Sequence, residues 1–253
     1  MCNDKCSFVC KGSRENSVSG LSKIIFSISY SMALLLYGVA HADGMLPETT
    51  VVILYEENGE ATINIKNTDP TPALLHSVIE NVPEDLETLL IVTPPIARVE
   101  PGETQLVRFI STLKTPLKTQ RLKRVSFEGI PQAREPGGAT IGITLRQNLP
   151  LILHPAGLPR HQAPWELLKW KRQGDRLSVH NDSAYVVRMG LEVQLNPLKK
   201  TGLLPRTYIL PGEVLTLNTE GPVAEVSSVV LQPATTFGFA VDDYQANVLG
   251  HES

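Results

Sequence analysis

Apolar and polar residues alternate with period two along much of the chain beyond residue 48. Ala61-Thr62-Ile63-Asn64-Ile65-Lys66-Asn67 is the clearest case, and it predicts a strand with one buried face. Thr49 to Leu54, Leu74 to Ile79, Ile91 to Thr93, Gln105 to Ile110, Lys123 to Ile130 and the long run Ala139 to Leu153 read as further strands. Turn-forming residues punctuate them: Glu57-Asn58-Gly59, Asn81-Val82-Pro83, Pro101-Gly102 and Pro136-Gly137-Gly138. No stretch of ten or more residues carries the i, i+3, i+4, i+7 apolar spacing of an amphipathic helix. Seven short strands within about 110 residues predict a β-sandwich.

His154-Pro155-Ala156-Gly157-Leu158-Pro159 closes this unit and predicts a linker. A second strand series follows at Leu167 to Lys171, Arg176 to His180, Tyr185 to Leu195, Arg206 to Leu210, Val214 to Leu217, Val226 to Leu231 and Phe237 to Val241. Asn181-Asp182, Asn196-Pro197 and Leu210-Pro211-Gly212 supply its turns. The expected fold class is therefore all-β, with one sandwich over residues 43–155 and another over 156–253. The two halves show no detailed internal repeat.

The N-terminus reads differently. Lys11, Arg14 and Lys23 precede an apolar run from Ile24 to Val39, and Ala40-His41-Ala42 fits the small-x-small pattern of a cleavage site. Residues 1–42 are expected to be a signal peptide, since a run of about 16 residues is short for a membrane span. Of the 23 basic and 26 acidic residues, four and two fall in this segment, which leaves the remaining 211 residues with a net charge of -5. All three cysteines (Cys2, Cys6, Cys10) fall in it too, so the exported chain must be held by core burial rather than disulfides. The 19 prolines, and the 6% aromatics of the whole chain, suit short strands and turns, and a charge near neutral gives no footprint for nucleic acid.

Signals for catalysis are poor. The exported chain lacks G-x-S-x-G, H-E-x-x-H, a glycine-rich phosphate loop and a cysteine nucleophile. His76, His154, His161, His180 and His251 are scattered without metal-ligand spacing, and the pairs Glu56-Glu57 and Asp242-Asp243 read as solvated turns. A non-enzymatic protein without metal or cofactor is expected.

The informative run is Thr140 to Pro155, in which Ile141, Ile143 and Leu145 fall on one strand face and Gly142, Thr144 and Arg146 on the other. Such a face belongs either to the protein's own core or to a partner that lacks a strand. With Thr93-Pro94-Pro95-Ile96-Ala97-Arg98-Val99-Glu100-Pro101-Gly102 followed by Leu106-Val107-Arg108, with Arg124 to Pro131, and with Asn181-Asp182-Ser183-Ala184-Tyr185, this run makes the chain resemble the periplasmic pilus-assembly (PapD-like) chaperones over nearly its whole exported length. The resemblance implies two immunoglobulin-like domains in tandem, set at an angle. It implies a periplasmic protein that binds pilin subunits by donor-strand complementation through its seventh strand and hands them to an outer-membrane usher, with no nucleic acid and no stable membrane insertion. The alternative is a secreted structural or adhesive sandwich module.

Carried over residue by residue, the resemblance makes Ile141, Ile143 and Leu145 the side chains that enter the subunit groove. The family's cationic pair for the subunit's terminal carboxylate aligns with Val51 and Pro150, so that anchor is missing and the chain looks like a divergent, archaic branch. Arg146 is the candidate replacement, because a guanidinium can bind a carboxylate bidentately. Leu149, near which Pro150 should end regular pairing, completes the expected subunit-binding set. At the positions of the family's charged contacts between domains, Asp243 lines up, but Gln120 and His154 replace charged groups.

Overall fold

A computed structural model describes residues 44–131, 144–235 and 241–250 of the chain. The expected signal peptide 1–42, Ile141, Ile143 and all but the last residue of the strand expected at Phe237 to Val241 lie outside the described residues.

The first domain holds β1 (Met45–Pro47), β2 (Val52–Tyr55), β3 (Glu60–Asn67), β4 (Ala73–Asn81), β5 (Leu90–Thr93), β6 (Ile96–Val99), β7 (Thr104–Ser111), β8 (Arg121–Pro131) and β9 (Arg146–His154). They form two sheets, ordered β1-β3-β7-β5 and β2-β9-β8-β4-β6. Period-two alternation sends Ile63, Ile65, Val107 and Phe109 from one sheet against Leu54, Leu75, Val125, Phe127, Leu151 and Leu153 from the other, making a dry core. Asn67, fully buried, holds the β6 end in place by donating from Nδ2 to the Val99 carbonyl at 2.9 Å and to Thr71 at 3.1 Å. The Asn67 carbonyl accepts from Gly102 N–H at 2.9 Å, and Gly102 sits at φ 75°, a left-handed turn that glycine adopts without strain. These bonds use Val99 and Gly102 of the block seen in the sequence.

The second domain holds β10 (Lys169–Gln173), β11 (Arg176–His180), β12 (Val187–Asn196), β13 (Lys200–Leu203), β14 (Tyr208–Ile209), β15 (Val214–Thr216), β16 (Asn218–Thr219), β17 (Ser228–Ala234) and β18 (Tyr244–Gly250). They run in the order β15-β11-β10-β18-β17-β12-β13-β16, with β14 also on β12, around a core built on Trp170, Leu177, Val179, Val187, Val193 and Leu231. Asn181 organises the entry to β12: its Nδ2 donates to Tyr185 O at 2.7 Å while its Oδ1 accepts from Ser183 Oγ at 2.6 Å.

The sequence expected a strand from Leu167, but Pro164–Leu167 is a single 3-10 turn and pairing starts at Lys169. Pro164 favours the turn, since its fixed φ suits a first helical position. Strands β1, β6, β13, β16 and β18 lie outside the strands expected from the sequence.

Candidate functional site

The site is built on β9. On one side it pairs antiparallel with β8 along its whole length, from Arg146 opposite Glu128 to Leu153 opposite Arg121. On the other side it pairs parallel with β2, but only from Leu151, which faces Val52, to His154, which faces Tyr55. Among the described residues, Arg146 to Pro150 therefore have no strand on that side, and their outward backbone groups form an open edge.

The two faces of β9 differ along their length. Leu149, Leu151 and Leu153 pack in the first domain's core, with Leu149 at 6% exposure. Leu145 continues that face past the rim of the core and is 46% exposed. Of the expected subunit-binding residues, Leu145 is thus available to a partner, while Leu149 is a core side chain in the free chain. A purely alternating pattern cannot separate these two, because both share one parity.

Arg146, on the opposite face, is already paired. Its Nη2 donates to Glu80 Oε1 at 2.5 Å and to Ser126 Oγ at 2.9 Å. Asn148 Nδ2 donates to the other oxygen of Glu80 at 3.2 Å. Burial works to raise the Glu80 pKa, but the Ser126 hydrogen bond, the Arg146 charge and the Asn148 bond together outweigh it and hold the carboxyl below its ordinary range. Arg124 of β8 closes the belt, donating to Asn148 Oδ1 and, at 2.8 Å, to the Asn148 carbonyl.

Towards the second domain this same face turns apolar. Val51, Val82, Leu122 and Ile152 of the first domain meet Val186 of the second, flanked by Ile53, Tyr208 and Leu210. Val51 and Pro150, the two positions aligned with the family's cations, are both buried in or beside this seam. Polar contacts fix the seam. Gln120, at 4% exposure, accepts from Val186 N–H through Oε1 at 2.8 Å, and its Nε2 lies 2.9 Å from His154 Nδ1. His154 Nε2 lies 2.8 Å from the Leu158 carbonyl, which can only accept, so Nε2 carries the proton and Nδ1 accepts from Gln120. Gln120 and His154 thus form a neutral pair where charged groups stood in the resemblance, and Asp243 is exposed. The charged contact across the seam is another one: Glu84 takes Arg206 at 2.9 Å and the Tyr208 hydroxyl at 2.7 Å. Burial and that hydrogen bond push the Tyr208 phenol up to about 12.

Among the described residues, no group of three or more His, Cys, Asp or Glu could hold a metal ion, and no helix is long and apolar enough to cross a membrane.

Two sandwiches joined through a packed seam, with a half-paired strand leading into it, define a class of protein that can lend a strand to another chain. Residues 44–159 match the family model described as "Pili and flagellar-assembly chaperone, PapD N-terminal domain", and residues 163–245 match "Pili assembly chaperone PapD, C-terminal domain". The chain belongs to the PapD-like pilus-assembly chaperones. It is 42% identical over 204 residues to the uncharacterized fimbrial chaperone YhcA of Escherichia coli K12, covering 80% of this chain and 90% of that protein. Its fold is shared with the structure of the Salmonella enterica SafA pilin in complex with the SafB chaperone, at a TM-score of 0.68 and 20% identity over 83% of this chain and 98% of that one. It is also shared with the chaperone–tip subunit complex CsuC-CsuE of the archaic Csu pili of Acinetobacter baumannii, at a TM-score of 0.57 and 15% identity over 82% and 99%. As a member of a chaperone family, the chain acts in pilus assembly and not as an enzyme.

Proposed function

We propose that this chain is exported to the periplasm after loss of residues 1–42, and that it stabilises pilin subunits by donor-strand complementation before passing them to an outer-membrane usher. The observation that carries the reading is the open edge of β9 from Arg146 to Pro150, which runs directly into the seam. A subunit strand laid on this edge gains backbone hydrogen bonds worth about 0.5–1.5 kcal/mol net each. Side chains on the Leu145 parity, with Ile141 and Ile143 as its expected continuation, fill the subunit's open groove at about 1.5–3 kcal/mol for each one fully buried.

The test is copurification from periplasm. Tagged wild type should bring down a pilin subunit, and Ile143→Asp and Leu145→Asp should bring down little or none, because a carboxylate in an apolar groove is strongly penalised. Unchanged recovery of the subunit by both variants would end this reading.

A further inference from the structure

The pair Glu56-Glu57, which the sequence places in a solvated turn, contains one residue held at both carboxylate oxygens. Glu56 opens the 3-10 turn Glu56–Asn58 directly after β2, and Gly59 closes that turn by donating to the Glu56 carbonyl at 3.1 Å. Glu56 Oε1 accepts from the Leu117 N–H at 2.9 Å, and Oε2 accepts from the Ala156 N–H at 2.8 Å. The two donors lie 61 and 100 positions further along the chain, so both bonds are tertiary.

Each bond holds a segment that carries the second domain. Ala156 begins the linker, and because Pro155 lacks an N–H, Ala156 offers the first backbone donor beyond β9. From there the linker is held again and again. The Leu158 carbonyl lies 2.8 Å from His154 Nε2, the Pro159 carbonyl accepts from the Tyr185 hydroxyl at 2.7 Å, and the Arg160 guanidinium sits 4.6 Å over the Tyr55 ring. Leu117 lies in the connection between β7 and β8, three residues before Gln120. Gln120 N–H donates to the Ala184 carbonyl of the second domain at 2.9 Å, and its side chain takes the Val186 N–H. One carboxylate therefore spans the covalent and the non-covalent route from the first domain to the second.

This task suits a carboxylate and not an amide. Backbone N–H groups can only donate, and the two oxygens of Glu56 accept one each. A glutamine has one such oxygen and would turn its NH2 group against the other donor. The carboxylate also starts from a fixed base: Tyr55, the residue before it, pairs with His154 at the end of β9, with 5.1 Å between the ring centres.

We infer that Glu56 is a positioning residue that sets the second domain against the donor strand, holding the linker with one oxygen and the Gln120 connection with the other. The linker is then a strap and not a hinge, and the seam is formed before a subunit arrives. The effect of Glu56 on subunit capture rests on the donor-strand reading above, whereas its effect on the domains does not.

The experiment uses the exported chain, which has no cysteine, so that Thr62→Cys on β3 and Gln194→Cys on β12, both exposed, take spin labels cleanly. Pulsed electron paramagnetic resonance then reads the distance between the domains. The chain with Glu56 intact should give one narrow distribution and Glu56→Ala a broad one. In Glu56→Ala the Leu117 and Ala156 amides should exchange at least about tenfold faster, as loss of a hydrogen bond to a charged group implies, while the amides of β4 and β8 stay protected. Subunit recovered from periplasm should fall about tenfold in the same variant. Glu56→Gln keeps one acceptor, so it should lose protection at one of the two amides and broaden the distances less; it keeps the test open if Glu56→Ala folds poorly. Glu57→Ala, at the exposed neighbour, should match wild type. A distribution that stays narrow in both Glu56 variants, or one that broadens equally in Glu57→Ala, overturns the inference. Broadened distances with undiminished subunit recovery overturn the link to capture. If wild type recovers no subunit, it is the donor-strand reading that fails, and the distances still judge Glu56.

Discussion

Gln120 in the first domain accepts a hydrogen bond from the backbone N–H of Val186 in the second, at 2.8 Å. A side chain of one sandwich thus completes the backbone of the other, and the next bond in the chain, Gln120 to His154 at 2.9 Å, ties it to the end of β9. The strand offered to a partner and the second domain are held in one network.

Gln120→Leu should therefore loosen the seam more than its size suggests. It leaves the Val186 N–H and His154 Nδ1 buried without partners, each at about 1–3 kcal/mol. The expected result is a lower urea midpoint and loss of hydrogen-exchange protection at the Val186 amide. Undiminished protection there would show that the seam is held by the Val51, Leu122, Ile152 and Val186 contacts alone.

Most strands of the first domain could be read from the sequence because each has one wet and one dry face. Ile63 and Ile65 on β3 and Val107 and Phe109 on β7 announce themselves by alternation, and the glycines at 59, 102 and 212 mark turns with positive φ. The site was harder to read. β9 changes environment halfway along while keeping one periodicity, so Leu145 at the surface and Leu149 in the core look alike in sequence. The charged contact across the seam joins Glu84 and Arg206, 122 positions apart in the sequence, and nothing local marks either one. What brings them together is the packing of one domain on the other, a property only the folded chain has.

The two leucines of β9 should separate by experiment. Leu149→Ala removes a side chain that is 6% exposed and should cost about 2–5 kcal/mol of stability in denaturant unfolding. Leu145→Asp, at a position 46% exposed, should change stability by less than about 0.5 kcal/mol yet abolish subunit capture. A Leu145→Asp chain that unfolds would mean that this face is ordinary core up to its end.

Arg146 should matter little to either property. Its bridge to Glu80 is half exposed, and such pairs contribute about 0–1 kcal/mol. Arg146→Ala should keep subunit affinity within a few-fold and release Glu80, whose pKa then rises from its lowered value as its Arg146 charge and hydrogen bond disappear. Carboxyl resonances followed by NMR across an acid titration would show this. A large loss of subunit affinity in Arg146→Ala would instead make it the anchor.

Acid stability should trace to Asp85. This carboxylate is 8% exposed, pairs with Arg121 at 2.5 Å and with Lys123 Nζ at 2.9 Å, and Lys123 itself is 1% exposed. Burial works to raise the Asp85 pKa, but hydrogen bonds and charge from its two cations outweigh it and hold it below the ordinary range. Lys123 is also shifted down, since burial outweighs its share of a carboxylate that Arg121 also draws on. A carboxyl with a folded pKa below its unfolded value stabilises the fold above the unfolded value, about 3.9, and loses that contribution as pH falls through the lower folded one. Wild type should thus lose stability more steeply below about pH 4 than Asp85→Asn does. At neutral pH the variants should be unequal. Asp85→Asn strands a buried ammonium and should cost about 3–5 kcal/mol, whereas Lys123→Met leaves Asp85 with Arg121 and should cost less. Equal losses in the two variants, or parallel acid limbs for wild type and Asp85→Asn, would place the acid-sensitive group elsewhere.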